Sequence, residues 1–145
     1  MASYETILVT TDLSDAAAVA LHHGVELAEK LGSKLIVAFV VDDLPPMIAA
    51  HTRDPEELLE RHRKHASQEL EKHLAEHLAG QTVETVIRQG VAHKEIVALA
   101  QERGVDLIVM SMHGHGFLAH ALAGSTAERV LHLAPCGVLV IPQRS

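Results

Sequence analysis

Val105-Asp106-Leu107-Ile108-Val109-Met110 leads into Ser111-Met112-His113-Gly114-His115-Gly116, and Gly124-Ser125-Thr126-Ala127-Glu128 follows. In order these read as a strand, a loop of small residues and a helix start. Leu107 to Met110 has no polar alternation, which suits a parallel strand covered on both faces. Ser125 and Thr126 are residue types that cap helix N-termini. The free N–H groups of a first helical turn, with the aligned peptide dipoles behind them, favour an anion there. Glycines such as Gly114 and Gly124 let a phosphate oxygen approach the main chain. The stretch therefore reads as a phosphate cradle, and nucleotide binding becomes the leading question. Gly114 and Gly116 alone would equally serve a surface turn; their position between a strand and a helix start is what points to phosphate.

Working outward, strand and helix signals alternate along the whole chain. Ile7-Leu8-Val9-Thr10-Thr11 is a short β-branched run and reads as the first strand. Asp12-Leu13-Ser14 follows, with Ser14 as N-cap. Ala16, Val19, Ala20, Val25, Leu27, Ala28 and Leu31 then recur at helical spacing, and Gly32 stops the helix. Residues 35–41 form the second strand. Residues 42–53, with Pro45-Pro46, read as an irregular loop. Asp54-Pro55-Glu56-Glu57 carries an N-cap, a proline at the first helical position and an acid at the capping-box position. That helix is expected to run to about Leu78 and to end at Gly80. A strand over 82–87, a helix within 90–104, the strand 106–110, a helix over 125–133 and a strand at Val138-Leu139-Val140-Ile141 complete the pattern. Five strands separated by four helical regions imply right-handed crossovers. The expected fold is α/β: a single doubly wound five-stranded parallel sheet with helices on both faces, in one domain over 1–145. Such sheets bind ligands beyond the strand carboxyl ends, where the strand order reverses.

Composition narrows the function. The chain has 145 residues, 48% of them hydrophobic, which is a globular composition. Twelve basic against 19 acidic side chains give a formal charge of −7, and aromatics are 2%. That balance argues against a nucleic-acid partner, which wants a basic face or a stacking platform. No apolar run approaches the roughly 20 residues that cross a bilayer. The start lacks a basic region followed by an apolar stretch, so no signal peptide is expected. A single cysteine, Cys136, cannot form an internal disulfide, and a reducing, cytoplasmic setting is the default.

These residues carry a family likeness. The chain resembles the universal stress protein family over essentially its whole length. The opening Ile7-Leu8-Val9-Thr10-Thr11-Asp12-Leu13-Ser14 is similar to that family's first strand and Asp-x-Ser turn. The segment from Met110 to Gly124-Ser125, then Ala127-Glu128-Arg129-Val130-Leu131 and Ala134-Pro135-Cys136-Gly137-Val138-Leu139-Val140-Ile141, is similar to its signature. Nucleotide-binding members carry Gly-x-x-Gly, nine residues, then Gly-Ser or Gly-Thr. Gly114, the nine residues 115–123 and Gly124-Ser125 match, while Ser111 stands in place of the first glycine. The resemblance implies an adenine nucleotide alpha hydrolase-like fold, a flavodoxin- or Rossmann-like three-layer sandwich. It implies ATP in the cleft with Mg²⁺ on the phosphates, Asp12 near the ribose with Thr11 beside it, and Val40 and Met110 near the adenine. Gly114, Gly124, Ser125 and Thr126 would meet the phosphates, with Ser111, His113 and His115 in the same loop. Ser111 adds a Cβ where the pattern has none, and this either narrows the approach or supplies a hydroxyl donor. Family members often pair the last strand across a two-fold axis, which implies a homodimer through Val138 to Ile141. An apolar strand at a sheet edge is itself an association surface.

Other candidates are weighed against plainer roles. Asp12 ends a buried strand, so it serves as a ligand residue, as a cap for the next helix, or as both. His115 and His120 either draw phosphate once protonated, as pH falls toward about 6, or are exposed loop residues. His62, His65, His73 and His77 fall on about a third of one helix's circumference. His73 and His77 have metal-ligand spacing, but with Arg61, Arg63, Lys64 and Lys72 on the same helix a solvated face is expected and no metal site. Cys136 reads as a structural thiol. No nucleophile elbow or Walker A loop is present in the sequence, and no catalytic residue is assigned. The leading expectation is a regulatory protein that signals by ATP occupancy to a protein partner whose identity the sequence does not give. A nucleotide-independent interaction protein on the same fold comes second. A slow ATPase or phosphotransferase comes third, since cradle residues are present without transition-state machinery.

Overall fold

The first strand forms where β-branched and apolar residues run together. In the computed structural model, which describes residues 3–78, 81, 83–112 and 125–142, it is β1 (Thr6–Thr11). α1 follows (Asp15–Leu31), then β2 (Lys34–Val41), α2 (Pro46–His51), α3 (Pro55–His77) and β3 (Glu84–Gln89). α4 (Ala92–Glu102), β4 (Leu107–Ser111), α5 (Ser125–Leu133) and β5 (Gly137–Ile141) complete the chain. The strands lie in the order β3-β2-β1-β4-β5, and every pair is parallel. The fold is the expected doubly wound α/β sheet, with β5 at one edge.

Local chemistry sets the helix ends as the sequence indicates. The Ser14 hydroxyl oxygen accepts the Ala17 N–H at the start of α1, and Gly32 closes that helix in the left-handed conformation, φ 66°. Asp54 caps α3 by accepting the Glu57 N–H at 3.0 Å, with Pro55 in the first turn.

Alternating strand residues feed two cores. Leu8, Ile36, Ala38, Ile108 and Met110 pack under α4 and α5, against Ile96, Leu99, Ala127 and Val130. Ile7, Val9, Val37 and Val109 pack under α1 and α3, against Ala20, Leu21 and Leu70. Each fully buried Ile, Leu or Val contributes about 1.5–3 kcal/mol relative to exposure, so the sheet is stabilised from both faces.

Three expectations need correction. The loop expected over 42–53 contains α2, since Pro46 begins a helix as readily as it breaks one and Met47-Ile48-Ala49-Ala50 continue it. The third strand lies two residues later than expected, as Arg88 and Gln89 continue the ladder opposite Val40 and Val41. Arg88 can sit in a strand because its guanidinium reaches Glu102 and Glu95 at the surface. The expected helix stop Gly80 and strand start Thr82 lie outside the described residues. Asp106, expected to begin the fourth strand, precedes it, and its carboxylate accepts the N–H groups of Glu5 and Thr6 at 2.9 Å each. It fastens the start of β1 beside β4.

α3 is much longer than the sheet is deep. Twenty-three residues at about 1.5 Å each outrun a six-residue strand at about 3.3 Å each. Only its second half, at Ala66, Leu70 and His73, is buried.

Candidate functional site

The central ladder sets the geometry. β1 and β4 pair through Ile7↔Leu107, Leu8↔Ile108 and Val9↔Val109, and pair no further. Their outer ladders continue to the strand ends, with Thr11 opposite Phe39 and Ser111 opposite Ile141. The ladder between β1 and β4 thus stops two residues short of the ends of both strands, while the outer ladders run on. This opening lies where the strand order reverses, with β2 and β3 on one side and β5 on the other. It is the crevice at which doubly wound sheets place ligands.

The turn leaving β1 forms one wall and is braced by side-chain oxygens. Thr11 is buried, and its Oγ1 accepts the Leu13 N–H at 3.0 Å. Asp12 Oδ1 accepts the Ser14 N–H at 3.0 Å and also the Ser14 hydroxyl. Ser14 passes the constraint on by accepting the Ala17 N–H at 3.1 Å. Leu13 between them is left-handed, φ 68°, a conformation that costs a residue with a Cβ about 1–2 kcal/mol. Such strain is held only where the surroundings over-determine it, and it concentrates at functional sites. Asp12 does not itself cap α1, although one of its sequence readings expected it to; Ser14 is the cap, and Asp12 orients it from the turn after β1. The left-handed Leu13 carries no signal in residue type, so the sequence did not disclose it.

Across the crevice, Met110 is buried and Ser111 half-buried at the end of β4. Val40, half-buried on β2, joins the same core as Met110 on the α4–α5 face of the sheet. The alternation of side chains along a strand turns Thr11 and Ser111 to the α1–α3 face. Val40 and Met110 lie on the strands flanking β1, so they are two strand spacings apart, about 10 Å. Thr126, half-buried, is in the first turn of α5, and Ser125 opens that helix. His113, Gly114, His115 and Gly124, together with His120, lie outside the described residues.

The structure adds a feature the sequence did not reveal. α4 begins at the same carboxyl edge after Gly90, whose φ is 139° and whose N–H reaches the Val41 carbonyl at 2.9 Å. His93 and Lys94 are in its first turn. Burial, and then the charges of Arg129 on α5 and of Lys94, hold the His93 imidazole below its ordinary range. Three basic side chains from two helices thus share this edge of a net acidic protein. Their separation in sequence hides them.

Elsewhere, the expected solvated face of α3 is corrected at His73, which is 7% exposed. The helix turns it into the core stripe with Ala66 and Leu70. Cys136 is half-buried with a free thiol, and desolvation pushes its pKa up, which suits a structural role. Among the described residues no group of three or more His, Cys, Asp or Glu is arranged to hold a metal ion, and no helix is long and apolar enough to cross a membrane.

Comparison with known proteins bears on this geometry. The model of the universal stress protein family matches residues 3–142. Universal stress protein MJ0531 of Methanocaldococcus jannaschii is 34% identical, over 95% of this chain and 82% of that protein. The solved structure of protein MJ0577 superposes with a TM-score of 0.81 and 32% identity, covering 98% of both chains. A universal stress protein solved in complex with cAMP superposes with a TM-score of 0.62 and 25% identity, covering 96% of this chain and 97% of that one.

Proposed function

This chain belongs to the universal stress protein family, and from that premise we propose that it binds ATP, with Mg²⁺ on the phosphates, in the crevice between β1 and β4. The observation that carries the reading is the parting of β1 from β4 at the reversal of strand order, with Thr11, Asp12 and Ser111 at its rim. These residues fit the group: a carboxylate suits ribose hydroxyls, and apolar Val40 and Met110 suit an adenine. The α5 start at Ser125 and Thr126 suits phosphate oxygens, and Lys94 and Arg129 add a favourable field. A relative solved with cAMP supports an adenine nucleotide as the ligand class. His113, Gly114, His115 and Gly124 join the phosphate side by the motif alone. The magnesium would be held chiefly by phosphate oxygens and water, as that ion prefers.

Occupancy then acts as a signal in the cytoplasm, read by a protein partner. The functional unit is a homodimer through Val138 to Ile141. β5 is an edge strand with Leu139 exposed, which supports that pairing. A monomer by light scattering at micromolar concentration refutes the dimer.

A thermal melt with and without Mg-ATP tests the main reading. A ligand that binds only the folded chain stabilises it by about 2.7 kcal/mol at roughly 100 times its Kd. At about 2–4 °C per kcal/mol for a chain of this size, the midpoint rises by roughly 5–11 °C. No rise at millimolar Mg-ATP, with no adenosine compound found by mass spectrometry in the purified protein, refutes it. That result favours the nucleotide-independent interaction protein, for which Ser111 in place of a motif glycine is the specific observation.

A further inference from the structure

The buried stripe of α3 contains one polar side chain. His73 lies between Ala66, Leu70 and the flanking Leu74 and Leu78. Its Nε2 is buried and has no hydrogen-bond partner among the described residues. The His77 ring, one turn on, stands 4.7 Å away between centroids, tilted by 53°. His22 of α1 meets His77 edge-on at 5.7 Å and 78°. Three imidazoles from two helices thus run outward in sequence: His73 in the core, His77 half-buried, His22 exposed.

Uncharged, these rings pack as aromatic neighbours and cover apolar surface. Charged, each carries two N–H donors, and one of those on His73 has no acceptor. Like charges a few ångströms apart also repel. We propose that His73, packed on His77 and through it on His22, is an acid-sensitive latch between α1 and α3, closed while the His73 ring is neutral and released when that ring takes up a proton. Release frees the second half of α3 from the sheet. The latch stands whether or not the crevice binds a nucleotide.

The groups facing His73 are His77 and Glu76 on α3, Asp15 on α1 and Asp12 in the turn after β1. His22 reaches it through His77. β2 and β3 contribute apolar Phe39 and Ile87 to the same core. Desolvation first, and then His77, lowers its proton affinity; Glu76, Asp12 and Asp15 oppose them, and the net direction is below the ordinary 6.5. The folded chain therefore refuses a proton that the unfolded chain accepts. The stability involved is complete above the unfolded value and is lost as pH falls through it toward the folded value. Each unit of depression corresponds to a roughly tenfold rise in the unfolding constant once pH lies below both.

The test uses the full chain. Ring resonances of all histidines are titrated by NMR, and amide-exchange protection factors are measured from about pH 7.5 to 5, across the range where imidazoles charge. The expected result is that His73 titrates below the ordinary 6.5 of an imidazole, and that residues 66–77 lose protection on acidification while 96–100 of α4 keep theirs. His73→Leu, which keeps an apolar group of similar bulk in the stripe, is expected to remove most of that loss, and His62→Gln to leave it intact. His73 titrating at or above that ordinary value, or α3 protection that does not change with pH, overturns the latch. The wild-type titration and exchange decide the matter even where His73→Leu does not fold.

Discussion

Gly24→Ala reads how tightly α1 sits on the sheet. Gly24 is buried within α1, and a Cβ built on it would lie 2.2 Å from Val9 Cγ2, 3.6 Å from Val9 Cβ and 3.9 Å from Leu35 Cδ1. The first distance is more than an ångström short of ordinary contact, so something must move. Val9 has little freedom to do so. It is 0% exposed, it is β-branched and stiff at χ1, and it pairs with Val37 on one side and Val109 on the other. The methyl therefore lifts α1. Overpacking of this kind costs about 1–3 kcal/mol, and so short a contact belongs at the upper end. Against it stands the helix preference of Ala over Gly, about 1 kcal/mol. The net expectation is a loss of about 2 kcal/mol in urea denaturation, opposite in sign to what helix propensity alone gives. Val9→Ala removes the clashing methyl at a cost of about 2 kcal/mol in buried volume. In that background Gly24→Ala should be neutral or stabilising, leaving a coupling of about 2–3 kcal/mol between the two sites. A Gly24→Ala protein at least as stable as wild type, or strictly additive effects, refutes the argument.

Other outcomes follow from the same contacts. Ser14→Ala removes the cap of α1 and the hydroxyl partner of Asp12, and should lower the unfolding free energy by about 1 kcal/mol. Asp106→Ala leaves the Glu5 and Thr6 N–H groups without their acceptor. It should cost about 1–3 kcal/mol and appear as faster amide exchange at the start of β1. Ser111→Gly, which restores the motif glycine, should enlarge the Mg-ATP-induced rise in melting midpoint if the Cβ narrows the crevice. An unchanged or smaller rise says that the hydroxyl assists the ligand instead.

The sequence disclosed the architecture because its signals are local. The β-branched run at Ile7 to Thr11, the cap at Ser14, Gly32 after α1 and the Asp54-Pro55 start of α3 each act within a few residues, and the structure bears each of them out. Where a signal was two-sided it misled. Pro45-Pro46 breaks a chain and also begins a helix, so α2 was missed. Arg88 looks too polar for a parallel strand until Glu102 and Glu95 are seen beside it. The candidate site was legible in part. Thr11, Met110 and Ser111 lie at strand carboxyl ends with Asp12 just after β1, as expected, while the adjacency of β1 and β4, the brace of the Asp12 turn by Ser14 and the left-handed Leu13 are properties of the folded backbone.

By itself the sequence determined the order of strands and helices, the parallel sheet and the family, since periodicity, caps and motif spacing are written along one dimension. Tertiary structure alone decided that β1 and β4 part after Val9 and Val109, and that His93, Lys94 and Arg129 share an edge. It alone decided that His73 is buried while His62 and His65 on the same helix are not. The same residue type on one helix is solvated or desolvated according to how far that helix extends past the sheet. That overhang depends on packing between segments far apart in the chain, which no local pattern records.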